Sequence, residues 1–370
     1  MSLANAVSEV PEEAFDETII DLDFHLNPTE EDLLKYVDDE RAKDRLTTEF
    51  GMLPIKGKWD AAYAIKEGNE GLFTQGRAEI AEDVRKAAET IAVDTPVVTP
   101  GLNNAPNPVL KNVVAKAYND YMLDNIVDED IYCAMLLPQW DPEFAVEELE
   151  RVGNEKRVLA AYGWFGPFNL WGDTKHDPIF EKLTELDMPL FLHGSLSFWP
   201  QQTPIGDNML TWTEILGFDW PVHGMVNVVN MIMTGVFDDY PDLDVVFQEA
   251  GHWWVPFLRY RMDEFYEMHP EDVKVTPRKF DANDLYLEKK PSQYLVDNIY
   301  LCTQPMALPK NARQASMLLE LSMAEDVFVY SSDWPHQTLD PPTWAFQSRA
   351  FDEELRSKIL RENAQEILGI

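Results

Sequence analysis

Cysteine is scarce: Cys133 and Cys302 are the only two in 370 residues, too few for a disulfide framework and without zinc-finger spacing. Both sit in apolar, strand-like runs, where a buried free thiol is the expected state. Long hydrophobic runs are missing as well. No stretch approaches the roughly 18 apolar residues that a membrane-spanning helix needs. The first residues, Ser2 to Glu17, are polar and acidic and offer neither the basic nor the apolar segment of a secretory signal. They read as a flexible N-terminal tail, residues 1–17, on a cytoplasmic protein. No Gly-x-Gly-x-x-Gly follows a strand candidate, which counts against a doubly wound dinucleotide fold. Positive charge is the last shortage. Thirty Lys and Arg face 66 Asp and Glu, a net of −36 spread along the chain. Such a surface repels nucleic acid phosphates and anionic lipid, so neither nucleic acid nor membrane is an expected partner. The chain is not a disordered acidic one, because 45% of it is hydrophobic, with 19 Phe and 11 Trp. An acidic coat on a folded core is the pattern of salt-loaded cytoplasm, where salt screens self-repulsion. The sequence therefore predicts a halophilic protein that loses stability when salt is removed.

What is present is a succession of short apolar runs alternating with helical patterns. Strand candidates fall at 18–22, 97–98, 131–137, 158–162, 188–193, 243–247, 298–301 and 327–330. Helical spacing marks 142–152, 178–186, 226–237, 311–321 and 353–368. Strands alternating with helices indicate parallel βα units, and eight strands suit a single closed (β/α)8 TIM barrel of the α/β class over 18–370. Two connections exceed ordinary loop length, 27–90 after the first strand and 194–222 after the fifth. The second holds Trp199, Trp212 and Trp220. Long βα loops lie on the face where barrel sites are built, so both read as lids; insertions that cover the barrel side or form a subunit interface are the other reading.

The chemistry gathers where the apolar runs stop. Asp23 and His25 stand two apart after the first run, and strand side chains alternate with a period of two, so this carboxylate and imidazole project together. Alone the pair carries little, since Asp-x-His also ends strands by chance. The fifth run, however, ends in His193. The sixth leads into Gln248-Glu249-Ala250-Gly251-His252, and the eighth into Ser331-Ser332-Asp333-Trp334-Pro335-His336. In a barrel these ends converge on one mouth, so distant positions become one cluster.

Together with Asp141-Pro142-Glu143-Phe144-Ala145, Arg261-Met262-Asp263 and Glu362-Asn363-Ala364, these motifs resemble the amidohydrolase-related family. That family includes aminocarboxymuconate-semialdehyde decarboxylase and resorcylate-type decarboxylases, and the resemblance runs from about Ile19 onward. It implies one divalent metal ion, zinc or manganese, held by Asp23, His25, His193 and Asp333. Two imidazoles and two carboxylates suit either ion better than a calcium site would. Asp23 departs from the His-x-His of many relatives; an acidic residue there is familiar in decarboxylating branches and leans toward manganese. Many relatives also carry a histidine at the end of the sixth strand, where this chain has Glu249 and, three residues on, His252. Glu249 takes over proton transfer if burial raises its pKa, or binds the metal, or His252 reaches in from the loop. The competing role for His252 is a cap stacked on Trp253 and Trp254.

His336 follows Asp333 by three and is placed to orient it or to touch substrate. His176 and His223 read as structural, and His269 as exposed loop. Arg259 and Arg261 are candidate carboxylate binders, with pairing to Asp263 or Glu264 as the alternative. Trp253 joins the lid tryptophans as a candidate wall for substrate. Three functions fit. A decarboxylase would act on a small carboxylated aromatic or unsaturated acid, with the carboxylate on the metal and Asp333 as proton donor. A hydrolase would use a metal-activated water on a C–N, C–O or C–C bond. A barrel that binds metal without turnover is the third. The expected partner is a small carboxylic acid, and the resemblance implies a homodimer.

Overall fold

The computed structural model describes residues 17–26, 28–47, 80–101, 108–166, 170–194, 211–269, 287–336 and 338–370. Eight strands form one sheet in chain order: β1 (Ile20–Leu26), β2 (Thr95–Pro100), β3 (Tyr132–Leu136), β4 (Val158–Phe165), β5 (Leu190–Gly194), β6 (Val245–Gln248), β7 (Ile299–Cys302) and β8 (Phe328–Val329). Every neighbouring pair from β1 to β8 is parallel. The ring closes between its two ends. Leu22 N–H donates to the Tyr330 carbonyl at 3.1 Å, His25 N–H to Trp334 at 2.8 Å, and Asp333 N–H to Asp23 at 3.1 Å. Such a sheet is buried on both faces, which is why its strands read as apolar runs rather than alternating ones.

Helices return the chain along the outside: α1 (Ala81–Ile91), α2 (Pro108–Asn125), α3 (Pro142–Val152), α4 (Asp177–Glu185), α5 (Trp220–Thr234), α6 (Val255–Met268), α7 (Pro291–Asp297) and α8 (Ala312–Leu321). Local sequence explains their starts. Asp141 caps α3 by accepting the Phe144 N–H at 3.3 Å, with Pro142 at the first helical position. Asn311 caps α8 in the same way through Gln314 at 3.2 Å. The C-terminal segment anticipated as one helix at 353–368 contains a π-helical turn, Lys358–Glu362.

Several boundaries differ from expectation. β1 runs on to Leu26, so Asp23 and His25 lie within the strand, held in register with Val98 and Thr99 of β2 by the pairing of Phe24 and His25. β8 is only two residues long, because beyond Val329 side chains replace ladder partners: Ser331 N–H donates to Thr303 Oγ1 at 3.3 Å and Ser332 N–H to Asp21 Oδ1 at 2.9 Å. Within the anticipated lid 27–90, the last stretch is the crossover helix α1, which buries Val84, Ala88 and Ile91. Trp220 likewise opens α5 and is buried. The tail up to residue 16, the lid segments 48–79 and 195–210, and Trp199 lie outside the described residues. Cys133 and Cys302 are both free and buried, as their apolar settings suggest.

Candidate metal centre at the barrel mouth

Asp23, His25, His193 and Asp333 meet at the carboxyl ends of β1, β5 and β8. Each offers a ligand atom, all four within 4.8 Å of one another, and all four side chains are buried. His25 Nε2 lies 3.1 Å from Asp333 Oδ1 and 3.5 Å from Asp23 Oδ1. His193 Nε2 lies 3.4 Å from Asp23 Oδ2.

The neighbours of these groups set their orientation. The Thr99 hydroxyl donates to Asp23 Oδ1 at 3.0 Å and lies 3.2 Å from His25 Nδ1. One hydroxyl can donate once and accept as well, so Thr99 accepts the His25 Nδ1 proton and leaves Nε2 as a bare lone pair. His193 does the same with backbone: Nδ1–H donates to the Gly194 carbonyl at 2.5 Å, and Nε2 turns to the cluster. Gly194 admits Trp220 where any Cβ would sit, 1.0 Å from the indole Nε1. Tyr162 and Trp164, each with its ring centroid 5.9 Å from that of His193, complete an aromatic wall with Trp220 at 6.2 Å.

Asp333 is the most heavily engaged carboxylate. Oδ1 is 2.5 Å from His336 Nδ1, while Oδ2 accepts from the Thr338 hydroxyl at 2.5 Å and from Gln304 Nε2 at 3.0 Å. Burial opposes its ionisation, but the charge and hydrogen bond of His336 hold the carboxyl well below the usual range. His336 moves the other way: burial opposes its charge, and the Asp333 carboxylate outweighs that and raises its pKa. Burial lowers His25. For His193 burial also disfavours charge, yet Asp23 pushes it up to about 9.

Glu249 belongs to this group. Its Oε2 is 3.7 Å from His193 Nε2, and its Oε1 is 3.4 Å from Thr338 Oγ1. Burial first, then repulsion from Asp333, pushes its carboxyl up to about 8. Glu249 and Asp333 share another property, left-handed backbone at φ 54 and φ 60. That conformation costs a non-glycine residue roughly 1–2 kcal/mol, and strain of this kind concentrates at functional sites.

The other anticipated residues are placed elsewhere. His252 is buried, with its ring 4.0 Å from Trp253 and 4.6 Å from Phe328, and burial pushes its pKa down to about 3. It is a neutral ring among aromatics, and Glu249 is the residue that reaches His193. Trp253 shares that aromatic packing. Arg261 is exposed on α6 and salt-bridged to Glu264 at 2.6 Å, so it follows the surface-pairing alternative. His176 stacks on Trp171 at 4.5 Å, His223 faces Asp219 at 3.5 Å, and His269 is exposed. Thr99, Gln304 and Thr338 carried no sequence signal, being neutral residues that become neighbours of the cluster only through the fold.

A divalent cation fits these residues. Asp23 Oδ2 and His193 Nε2 are buried polar atoms without a hydrogen-bond partner, and they face each other. Leaving both unpaired in a dry interior is costly. Ligands about 2.1 Å from one ion stand roughly 3–4 Å apart, close to the present spacing. Two imidazole nitrogens and two carboxylates match zinc or manganese.

Comparison with known proteins agrees with this geometry. Residues 20–370 match the amidohydrolase family. A gamma-resorcylate decarboxylase from Polaromonas sp. is 27% identical over 271 residues, 70% of this chain and 77% of that protein. One from a Rhizobium species is 25% identical, over 70% and 76%. Among solved structures, the 5-carboxyvanillate decarboxylase of Novosphingobium aromaticivorans, complexed with manganese and a nitrobenzoic acid, superposes with a TM-score of 0.69 at 17% identity, covering 96% of this chain and 97% of that one. A dihydroxybenzoic acid decarboxylase from Polaromonas sp., with bound manganese and 2-nitroresorcinol, gives 0.62 at 20% identity over 95% and 97%. The family match spans the whole barrel from its first strand to its last helix, and the chain belongs to the amidohydrolase family.

Proposed function

We propose that this protein is a metal-dependent carboxy-lyase that removes CO2 from a small carboxylated aromatic or unsaturated acid. The observation that carries the reading is the joining of four buried ligands to an acid–base pair, Asp333 and His336, 2.5 Å apart. Support comes from the decarboxylases named above, which the chain resembles in sequence and in fold. Asp23, His25, His193 and Asp333 would hold the ion. A divalent cation there supplies positive charge that draws in a carboxylate and stabilises charge developing nearby.

The protein's own groups do the rest. Asp333 and His336 share one proton, which Asp333 passes to the carbon bearing the carboxylate. The C–C bond then breaks, its electron pair restores the unsaturated system, and CO2 departs with the carboxylate oxygens. Gln304 and Thr338 fix Asp333 Oδ2 so that Oδ1 stays with the imidazoles. Tyr162, Trp164 and Trp220 exclude water and present flat apolar surfaces to a ring. Glu249, its carboxyl pushed up by burial and by Asp333, stands beside His193 as a further proton-holding group, while His252 packs against Trp253. The reading includes a cytoplasmic homodimer working at high salt; among the described residues no helix is long and apolar enough to cross a membrane.

The test is a panel of hydroxylated benzoic acids and unsaturated diacids, followed separately for CO2 release and for hydrolysis products, in molar salt with zinc or manganese. CO2 release is expected. Hydrolysis products without CO2 would make this a hydrolase, and less than half an equivalent of bound metal would remove the site assignment.

A further inference from the structure

Helix α6 has two apolar faces. The inner one buries Val255 and Leu258, and Asp263 ties the helix to α7 by accepting from Ser292 N–H at 2.9 Å and its hydroxyl at 2.7 Å. On its outward side Phe257, Tyr260, Phe265 and Met268 are 61%, 57%, 44% and 59% exposed. With Arg261 and Glu264 they recur at spacings of three and four, which keeps all six within a helix face about 140° wide. In a chain of net −36 this stripe holds one acid and one base, joined at 2.6 Å, with the Arg261 guanidinium 4.1 Å from the Phe265 ring centroid. The acidic coat is interrupted here.

The order of residues along the stripe names the partner. Taken from both ends inward, Phe257 corresponds to Met268, Tyr260 to Phe265 and Arg261 to Glu264. Apolar answers apolar, ring answers ring, and base answers acid. A two-fold axis through the middle of the helix sets these pairs opposite one another in an antiparallel contact, and self-complementarity of this kind is what an isologous interface requires. We propose that this face of α6 docks antiparallel on the same face of a second copy of the chain. The proposal rests on the homodimer reading and assigns the surface that makes it. Arg261 and Glu264 of the two copies close into a ring of four alternating charges, flanked by the aromatic and methionine side chains.

Sedimentation equilibrium of the full chain tests this. A dimer is expected in molar KCl, weakening as salt falls and the two acidic coats repel without screening. Arg261→Glu or Glu264→Arg alone places like charges at the axis and should raise the dimer dissociation constant at least about tenfold. The double exchange, Arg261→Glu with Glu264→Arg, should restore it; far-UV circular dichroism checks the fold of each. Because both native cysteines are buried, introduced thiols report alone. Phe257→Cys chains mixed with Met268→Cys chains should form mixed disulfides, whereas neither should link efficiently to itself. A monomer at every salt concentration overturns both the homodimer reading and the surface. A dimer indifferent to the charge exchanges, or Phe257→Cys linking readily to itself, overturns the surface and leaves the homodimer standing.

Discussion

The two ends of the barrel both collect carboxylates, with opposite results. At the mouth Asp23, Glu249 and Asp333 stand among His25, His193 and His336, and each bare oxygen or nitrogen meets a potential partner. At the floor, before β6, Asp244 is surrounded by Glu366, Asp187 and Asp242. Burial first and then those three acids push its carboxyl up to about 7, and among the described residues no positive group figures among the charges acting on it. Identical side chains thus make a ligand set at one end and a repulsive patch at the other. Depth and interleaved imidazoles decide the difference, not the number of acids.

The comparison breaks most severely at Asp333. Replacing Asp333→Asn should lower kcat by about 10³-fold or more, with a melting temperature within a few degrees of the parent, because the amide keeps the shape but neither shares the His336 proton nor carries the charge. Turnover near the parent level would take the proton from Asp333 and equate the mouth with the floor. Metal dependence is the next test. Chelation should abolish activity and lower the melting temperature, manganese or zinc should restore both, and His193→Ala should lose the thermal response to added metal. An equal response in parent and variant would remove His193 from the site.

A smaller effect belongs to the residues behind the ligands. Gln304→Leu and Thr338→Val should each cost about 10–100-fold in activity or metal affinity, as loss of groups that orient ligands generally does. Substitutions without effect would mean that Asp333 needs no clamp on Oδ2.

The smallest effect is at the floor, and its sign is opposite. Asp244 titrates near 3.8 when unfolded and near 7 when folded, so between those values only the unfolded chain releases its proton. Its contribution to stability therefore falls as pH rises through that window and stays low above it. Asp244→Asn should flatten that slope and raise the melting temperature by about 1–3 °C at pH 8 in low salt, with the gain shrinking in molar salt. A variant less stable than the parent at pH 8 would show that the floor acids are compensated by groups outside this cluster.

How much of this was legible depended on whether a residue acts along the chain or across it. Asp23 and His25 are readable because strand periodicity alone sets them side by side, and His193 and Asp333 because each ends an apolar run. Thr99 and Gln304 act on residues 74 and 29 positions away; a neutral residue in an ordinary strand or loop gives no local sign of that. The helices α2 and α6 escaped for a related reason. α2 is buried over much of its circumference, with Val114, Ala115, Ala117, Tyr118, Tyr121 and Met122 all inside, so no single stripe stands out. α6 carries apolar residues on both faces. Within the π-helical turn at Lys358–Glu362 the Ile359 carbonyl accepts the Tyr330 N–H at 3.0 Å, a contact across the fold that a helical repeat does not encode. Arg261 was misleading because spacing near Asp263 shows that a guanidinium is available and not which way it faces.

The seam between β1 and β8 carries a consequence in time. Asp23 and Asp333 are joined by a backbone hydrogen bond of 3.1 Å across the closure of the ring, although 310 residues separate them in the chain. During synthesis the first ligand pair leaves the ribosome long before the last carboxylate exists. The early strands can pair with one another, but a cation has no complete set of donors until Asp333 has been made. Capture of metal then waits for the last of the four donors, and a chain halted before β8 would hold His25 and His193 without the carboxylate that completes the set.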